Sequence, residues 1–152
     1  MEYSDFRGTD VLWCQWTEDF FTGRRRDLSE NMNFLPDLDK NTEDILALTA
    51  MIGYVQKNYP NRILLKDVAS AGNCCKTKCT SLFQKYLNTS PIVYINRYRL
   101  EKSIFLLRNT AQSITEIAYA CGFSNTSYFC ELFHKYYDTT PGKFRTNSQW
   151  QF

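Results

Sequence analysis

A set of apolar, aromatic and proline positions recurs along this 152-residue chain at a spacing close to fifty residues. Val68-Ala69 is echoed by Ile117-Ala118 at an offset of 49, and Leu82-Phe83, Lys85-Tyr86 and Pro91 by Leu132-Phe133, Lys135-Tyr136 and Pro141 at an offset of 50. One extra residue therefore lies in or after the second turn. Such an echo requires the same supersecondary unit twice, with the intervening stretch as its connector. Solenoids also duplicate helix pairs, but as three or more adjacent copies. Here two copies flank a long helical pattern.

The second copy is the easier to read. In Gln112–Lys135, Ile114, Ile117, Ala118 and Cys121 fall at three- and four-residue intervals, the spacing of one helical face. Gly122 interrupts the pattern, and Ser124 or Asn125 can cap a new helix that turns Phe129, Leu132, Phe133 and Tyr136 to one side. Two short helices around a tight glycine-containing turn are the sequence form of a helix-turn-helix. The opposite face of the second helix carries Asn125, Thr126, Ser127, Glu131, His134 and Lys135. Small hydrogen-bonding groups at the tip with basic or titratable groups behind them suit a helix entering a major groove. Helical domains that bind no nucleic acid also present polar outer faces, so this window alone does not decide the matter.

The rest of the chain reads as follows. Thr42 or Asn41 can cap a helix over about Glu43–Tyr59, with Ile45, Leu48, Ile52 and Val55 or Gln56 at helical spacing, before Pro60-Asn61 breaks it. A short helix follows Leu65 and ends near Gly72-Asn73. The next spans about Cys75–Tyr86, with Cys79, Leu82, Phe83 and Tyr86 inward. Pro91 is placed as an early helical residue of a long segment, Ile92–Arg108, whose apolar positions are Val93, Ile95, Tyr98, Leu100, Ile104 and Leu107. Pro141 opens a last helical turn through Phe144. Six to seven helices and no convincing strand predict an all-α body. Before it, Val11–Phe21 is aromatic and reads as a strand or adhesive edge, Arg24-Arg25-Arg26 is a basic knot, and Asn31–Asn41 reads as a linker. The expected division is an N-terminal arm or domain remnant over residues 1–42, a DNA-binding body over 43–146 and a tail over 147–152.

The net charge of +2 conceals an asymmetry. Residues 1–44 hold eleven acidic and five basic side chains, whereas residues 45–152 hold five acidic and thirteen basic ones. The later part therefore suits a polyanionic partner. Neither a membrane span nor a signal peptide is legible, so a cytoplasmic protein is expected. Six cysteines, at positions 14, 74, 75, 79, 121 and 130, form no paired CxxC, and His134 is the one histidine. Reduced thiols are expected, with no metal and no cofactor. Without a convincing carboxylate pair or a Gly-rich phosphate loop, no enzyme and no catalytic residue is expected. Most aromatics fall on inward faces, which leaves little for RNA stacking.

The motifs INRYRLEKSIFLL (Ile95–Leu107) and ITEIAYACGFSNTSYFCELFHKYYDTTPGKFR (Ile114–Arg145) carry a resemblance to the DNA-binding domain of the AraC/XylS family of bacterial transcription regulators. It covers residues 43–145. It implies a seven-helix domain with two helix-turn-helix units joined by a linker helix, binding successive major grooves of double-stranded DNA as a monomer or weak dimer. It also implies a regulator at promoters, most often an activator that contacts RNA polymerase. A helical protein-interaction module with weak or lost DNA binding is the alternative.

Carried over residue by residue, the resemblance implies a first recognition helix starting at Cys75, with Lys76, Thr77, Lys78 and Ser81 reading bases, and a second reading through Asn125, Thr126, Ser127 and Glu131. Phosphate contacts are expected of Ser124, Lys85, Arg97, Arg99, His134 and Lys135, with Arg99 mainly structural. Ala69 and Ala118 let paired helices approach, Gly122 is the turn glycine, and Phe123 and Phe133 are core. Two departures stand out. Cys74, Cys75, Lys78 and Cys79 occupy places where the family usually has a Ser cap and larger apolar residues, so a weaker first unit is expected. Only about forty residues precede the body, where family members usually carry a ligand-binding or dimerisation domain. A short stand-alone member or a partial gene product, without the usual effector sensing, is therefore expected.

Overall fold

The computed structural model describes residues 39–149, and the aromatic Val11–Phe21 stretch, the arginine triplet and most of the Asn31–Asn41 linker lie outside them. Among the described residues there are seven helices and no strand: α1 Asp39–Asn58, α2 Leu65–Ala71, α3 Lys76–Leu87, α4 Pro91–Asn109, α5 Ile114–Ala120, α6 Thr126–Tyr137 and α7 Pro141–Gln149. The all-α fold with two short-helix pairs on either side of a long helix is the one the repeat predicts.

Helix α1 starts before its expected cap. Asn41 and Thr42 lie inside the helix, and Asn41 instead accepts from the Tyr86 hydroxyl at 2.9 Å and from Lys85 Nζ at 3.5 Å. A tertiary partner thus replaces the local capping role. The buried stripe of α1 is Leu48, Met51, Ile52 and Val55, whereas Ile45 stays 40% exposed at its edge. The stripe lies close over the α2–α3 turn. A Cβ added at Gly72 would come within 2.8 Å of Met51 Cγ and 3.0 Å of the Ala47 carbonyl oxygen.

Helices α2 and α3 form the first helix-turn-helix, with Val68, Ala69, Cys79, Leu82, Phe83 and Leu87 buried. Tyr86, expected inward, is only half-buried because its hydroxyl reaches Asn41. Asn88 ends α3 in the left-handed conformation, φ 51°, and Ser90 caps α4 by accepting from Val93 N at 3.3 Å. Pro91 then occupies the first helical turn, where its missing N–H costs nothing. Val93, one of the apolar positions named for this helix, lies at the surface, and Tyr94 takes the interior place against Phe83, ring centroids 5.4 Å apart.

Farther along α4 the buried face passes to the second unit. Leu100 and Leu107 pack with Ile117, Ala118, Cys121, Phe123, Phe129 and Phe133, with Ile104, Tyr137 and Phe144 at the margin. Phe133 stacks at the centre, 5.8 Å from Phe129, 4.7 Å from Tyr137 and 5.5 Å from Phe144. Each such ring pair adds about 0.5–1.5 kcal/mol beyond area burial. Ser103, buried on α4, is satisfied by donating to the Leu100 carbonyl at 2.6 Å. Helix α7 runs past the expected single turn to Gln149, and Arg145 Nη2 ties it to the Gln112 carbonyl.

The halves differ in their caps. In the second unit Ser113 Oγ accepts from Glu116 N at 3.1 Å while Glu116 Oε2 accepts from Ser113 N at 2.7 Å, a complete capping box. At the matching place in the first unit Asp67 accepts from Leu64 N at 3.1 Å, but leucine has no oxygen to return the bond.

Candidate nucleic-acid interface

Helices α3 and α6 are both twelve residues long, begin at the equivalent caps Cys75 and Asn125, and end at left-handed Asn88 and Asp138. The caps are not equal. Asn125 Oδ1 accepts from Tyr128 N at 3.1 Å, while the Cys75 sulfur accepts from Lys78 N at 3.4 Å. A thiol is a weak acceptor, so α3 starts on the poorer bond.

The outer face of α3 brings together Lys76, Thr77, Lys78, Ser81 and Lys85, all exposed. Thr77, Thr80, Ser81, Gln84 and Lys85 line a shallow open depression along it. The Thr80 hydroxyl is occupied by the Lys76 carbonyl at 3.0 Å, which leaves Thr77 and Ser81 as the better placed hydroxyls. Lys78 and Lys85 do not stand alone: Asp44 of α1 lies 3.1 Å from the first ammonium and 3.6 Å from the second. The hydrogen bond from Lys78, helped by both positive charges, holds the Asp44 carboxyl below the usual carboxylate range.

On α6 the exposed residues are Ser127, Tyr128, Glu131, His134 and Lys135, with Ser124 and Asn125 at the tip and Thr126 half-buried beside them. Tyr128 was not singled out by the sequence pattern. The residue is 43% exposed, and its hydroxyl accepts from Asn96 Nδ2 of α4 at 3.1 Å. The fifty-residue offset that relates the two copies would have found it, since it maps Lys78 onto Tyr128 and Gln84 onto His134. The two reading faces therefore share a frame but not a chemistry. The first carries three lysines and small hydroxyls; the second keeps one lysine and small hydroxyls and adds an amide, an aromatic hydroxyl, a carboxylate and an imidazole.

The two arginines proposed for phosphate contact lie on α4 rather than on either recognition helix. Arg97 is half-buried with its guanidinium 5.7 Å from the Tyr136 ring centroid. Arg99 is turned inward, donating from Nε to the Tyr59 carbonyl at 2.9 Å and from Nη2 to the Asn61 carbonyl at 2.8 Å. Its guanidinium serves as a tie between the halves. Gly122, φ +88°, occupies the turn of the second unit, where a Cβ would fall on the same Tyr59 carbonyl oxygen. Ala69 and Ala118 are buried in the first helix of each pair, and Phe123 and Phe133 lie in the core.

Among the described residues the cysteines are divided between core and surface, with Cys79 and Cys121 buried and Cys75 exposed. Burial pushes the thiols of Cys79 and Cys121 up to about 11, so both are neutral side chains at pH 7. Among the described residues no cluster of three His, Cys, Asp or Glu side chains is arranged to hold a metal ion, and no helix is long and apolar enough to cross a membrane.

A model of the helix-turn-helix domain family matches residues 68–147, just over half of the chain. The chain is 35% identical over 91 residues to an uncharacterised helix-turn-helix transcriptional regulator, YdeC, of Bacillus subtilis, covering 60% of this chain and 31% of that protein. It is 27% identical over 108 residues to the transcriptional activator RhaR of Mannheimia succiniciproducens, covering 71% and 39%. The chain thus spans about a third of the length of these relatives. A regulator with an AraC-type DNA-binding domain from Chromobacterium violaceum superposes with a TM-score of 0.67 at 27% identity, over 74% of this chain and all of that one. The DNA-binding domain of AdpA, solved with a target DNA, has the same fold, with a TM-score of 0.65 at 16% identity over 68% and 93%. The duplicated helix-turn-helix, the linker helix and these similarities agree: the chain belongs to the AraC/XylS family of helix-turn-helix transcription regulators.

Proposed function

We propose that the protein binds double-stranded DNA sequence-specifically by placing α3 and α6 in successive major grooves, and that it regulates transcription by doing so. The observation that carries this reading is the matched pair of twelve-residue helices, each presenting polar side chains from a capped N-terminus and set on a common linker helix. Residues 43–146 form the DNA-binding unit on this reading. Thr77, Ser81, Asn125, Ser127 and Glu131 are the base-edge readers, joined by Lys76, Lys78 and Thr126. Lysine prefers guanine or phosphate, and a carboxylate accepts from cytosine N4. Ser124, Lys85, His134 and Lys135 contact the backbone, which positions without reading.

Activation is the favoured direction of regulation, since the relative RhaR is named a transcriptional activator. Contact with RNA polymerase is the accompanying proposal, with binding as a monomer or weak dimer. The reaction is non-covalent and needs no catalytic group.

Selection from a pool of random duplexes with the full chain tests the reading. The expected outcome is an enriched motif of two half-sites about one helical turn, roughly 34 Å, apart. No enrichment at low salt overturns it and favours a protein-binding role for the helical body.

A further inference from the structure

We propose that Asp44 sets the overall DNA affinity of the first recognition helix by acting as an internal stand-in for DNA phosphate. This rests on the DNA-binding reading above and adds a residue from outside both helix-turn-helix units. Lys78 and Lys85 are seven residues apart, two turns of α3, and so project from one side of it. The Asp44 carboxylate lies between their ammonium groups, at 3.1 Å from one and 3.6 Å from the other. Asn41, one turn earlier on α1, adds its carbonyl oxygen to Lys85 at 3.5 Å.

Exposure gives the arrangement its sense. The lysine side chains are 46% and 54% exposed, while that of Asp44 is 14% exposed. The anion therefore sits beneath two cations that still face solvent. On this inference Lys78 meets phosphate, the partner open to a lysine besides guanine, and a DNA phosphate approaching α3 must compete with Asp44 for both ammonium groups. The competition penalises every duplex alike, because it acts on the counterion-releasing part of binding that carries no sequence information. Base reading adds to this lowered baseline, so the ratio of specific to random affinity is kept while random duplex is released at lower salt. The second unit has no equivalent pair, since the offset places Tyr128 where Lys78 stands. Asp44 thus damps the half of the protein whose outer face is richest in lysine.

The test compares the full chain with Asp44→Asn on the selected site and on random duplex, across a salt series. Release of two weak surface ion pairs predicts affinity for random duplex about three- to twenty-fold higher. The log–log salt slope should steepen by up to about two, at roughly one per freed lysine. The ratio of specific to random affinity should stay the same, because the penalty is common to both, and the gain should vanish when Lys78→Gln and Lys85→Gln are added to D44N. An unchanged salt slope overturns the proposal, as does weaker binding by a variant with unchanged helix content. If D44N does not fold, Asp44→Ser carries the same readout. Failure of the unsubstituted chain to bind any duplex would instead overturn the DNA-binding reading itself.

Discussion

The Tyr59 carbonyl oxygen accepts a 2.9 Å hydrogen bond from Arg99 Nε and is walled on another side by Gly122, whose position leaves no room for a Cβ. One backbone oxygen thus joins three distant segments: the turn after α1, the middle of the linker helix and the turn of the second helix-turn-helix. The glycine is needed twice over, for its φ of +88° and for the approach. Gly122→Ala is expected to lower stability by at least ~2–3 kcal/mol, combining backbone strain with displacement of the Tyr59–Pro60 backbone. Equilibrium urea unfolding followed by helical circular dichroism measures it. A loss below ~1 kcal/mol, the size of strain alone, would show that the approach relaxes freely.

Arg99 should behave as a tie and not as a DNA contact. Arg99→Lys cannot keep both carbonyl bonds in the planar geometry of a guanidinium, and a loss of about 1–3 kcal/mol is expected. The salt slope of DNA binding should stay the same. A slope shallower by about one would identify a phosphate contact instead.

The caps of the recognition helices differ in a way that substitution can rank. Asn125→Ala removes a good oxygen acceptor from Tyr128 N and should cost about 1 kcal/mol. Cys75→Ala removes only a 3.4 Å sulfur acceptor and should cost less, while Cys75→Ser should stabilise the chain. Thermal melts of the three variants check the order. An Asn125→Ala chain that melts like the parent but selects different DNA would make this residue a reader and not a cap.

Two carboxyls make the fold sensitive to acid. Asp44 is held below its ordinary value by its hydrogen bond from Lys78, and Glu116 by hydrogen bonds from Ser113 in the capping box. Both are therefore less protonated folded than unfolded near pH 4. Their contribution is complete above their unfolded values, about 4, and is lost as pH falls through the lower folded ones. Melting temperature should be insensitive to these groups above about pH 5 and should drop below it. In Asp44→Asn and Glu116→Gln the drop should be smaller than in the parent. A drop of unchanged size in both would assign the acid sensitivity elsewhere.

Helix existence, the two glycine- and cap-marked turns and the reading faces were legible because they depend on neighbours three or four residues away. Ser113 and Glu116 form their box within one turn, Pro91 starts a helix wherever it is placed, and Phe129 and Phe133 recur at the spacing of one face. Tyr128 was legible in principle through the fifty-residue offset. Misplaced residues were those whose local preference met a distant partner. Asn41 is a good cap by type, yet it bonds Tyr86, forty-five residues along the chain. Val93 and Tyr94 are adjacent apolar residues, and only the position of Phe83 decides which of them is buried.

The sequence by itself determined that this chain is a duplicated helix-turn-helix of the AraC/XylS family, because period, caps and turn residues are encoded within each copy. The tertiary structure alone decided how the charges are used. The linear sequence assigned Arg99 a mainly structural part with a phosphate contact and Lys78 a base-reading one, but named a partner for neither. Packing turns the first onto the Tyr59 and Asn61 carbonyls and brings Asp44 of α1 beneath the second. Those pairings span thirty-four to forty residues. No local propensity sets them, and they exist only once α1, α3 and α4 lie against one another.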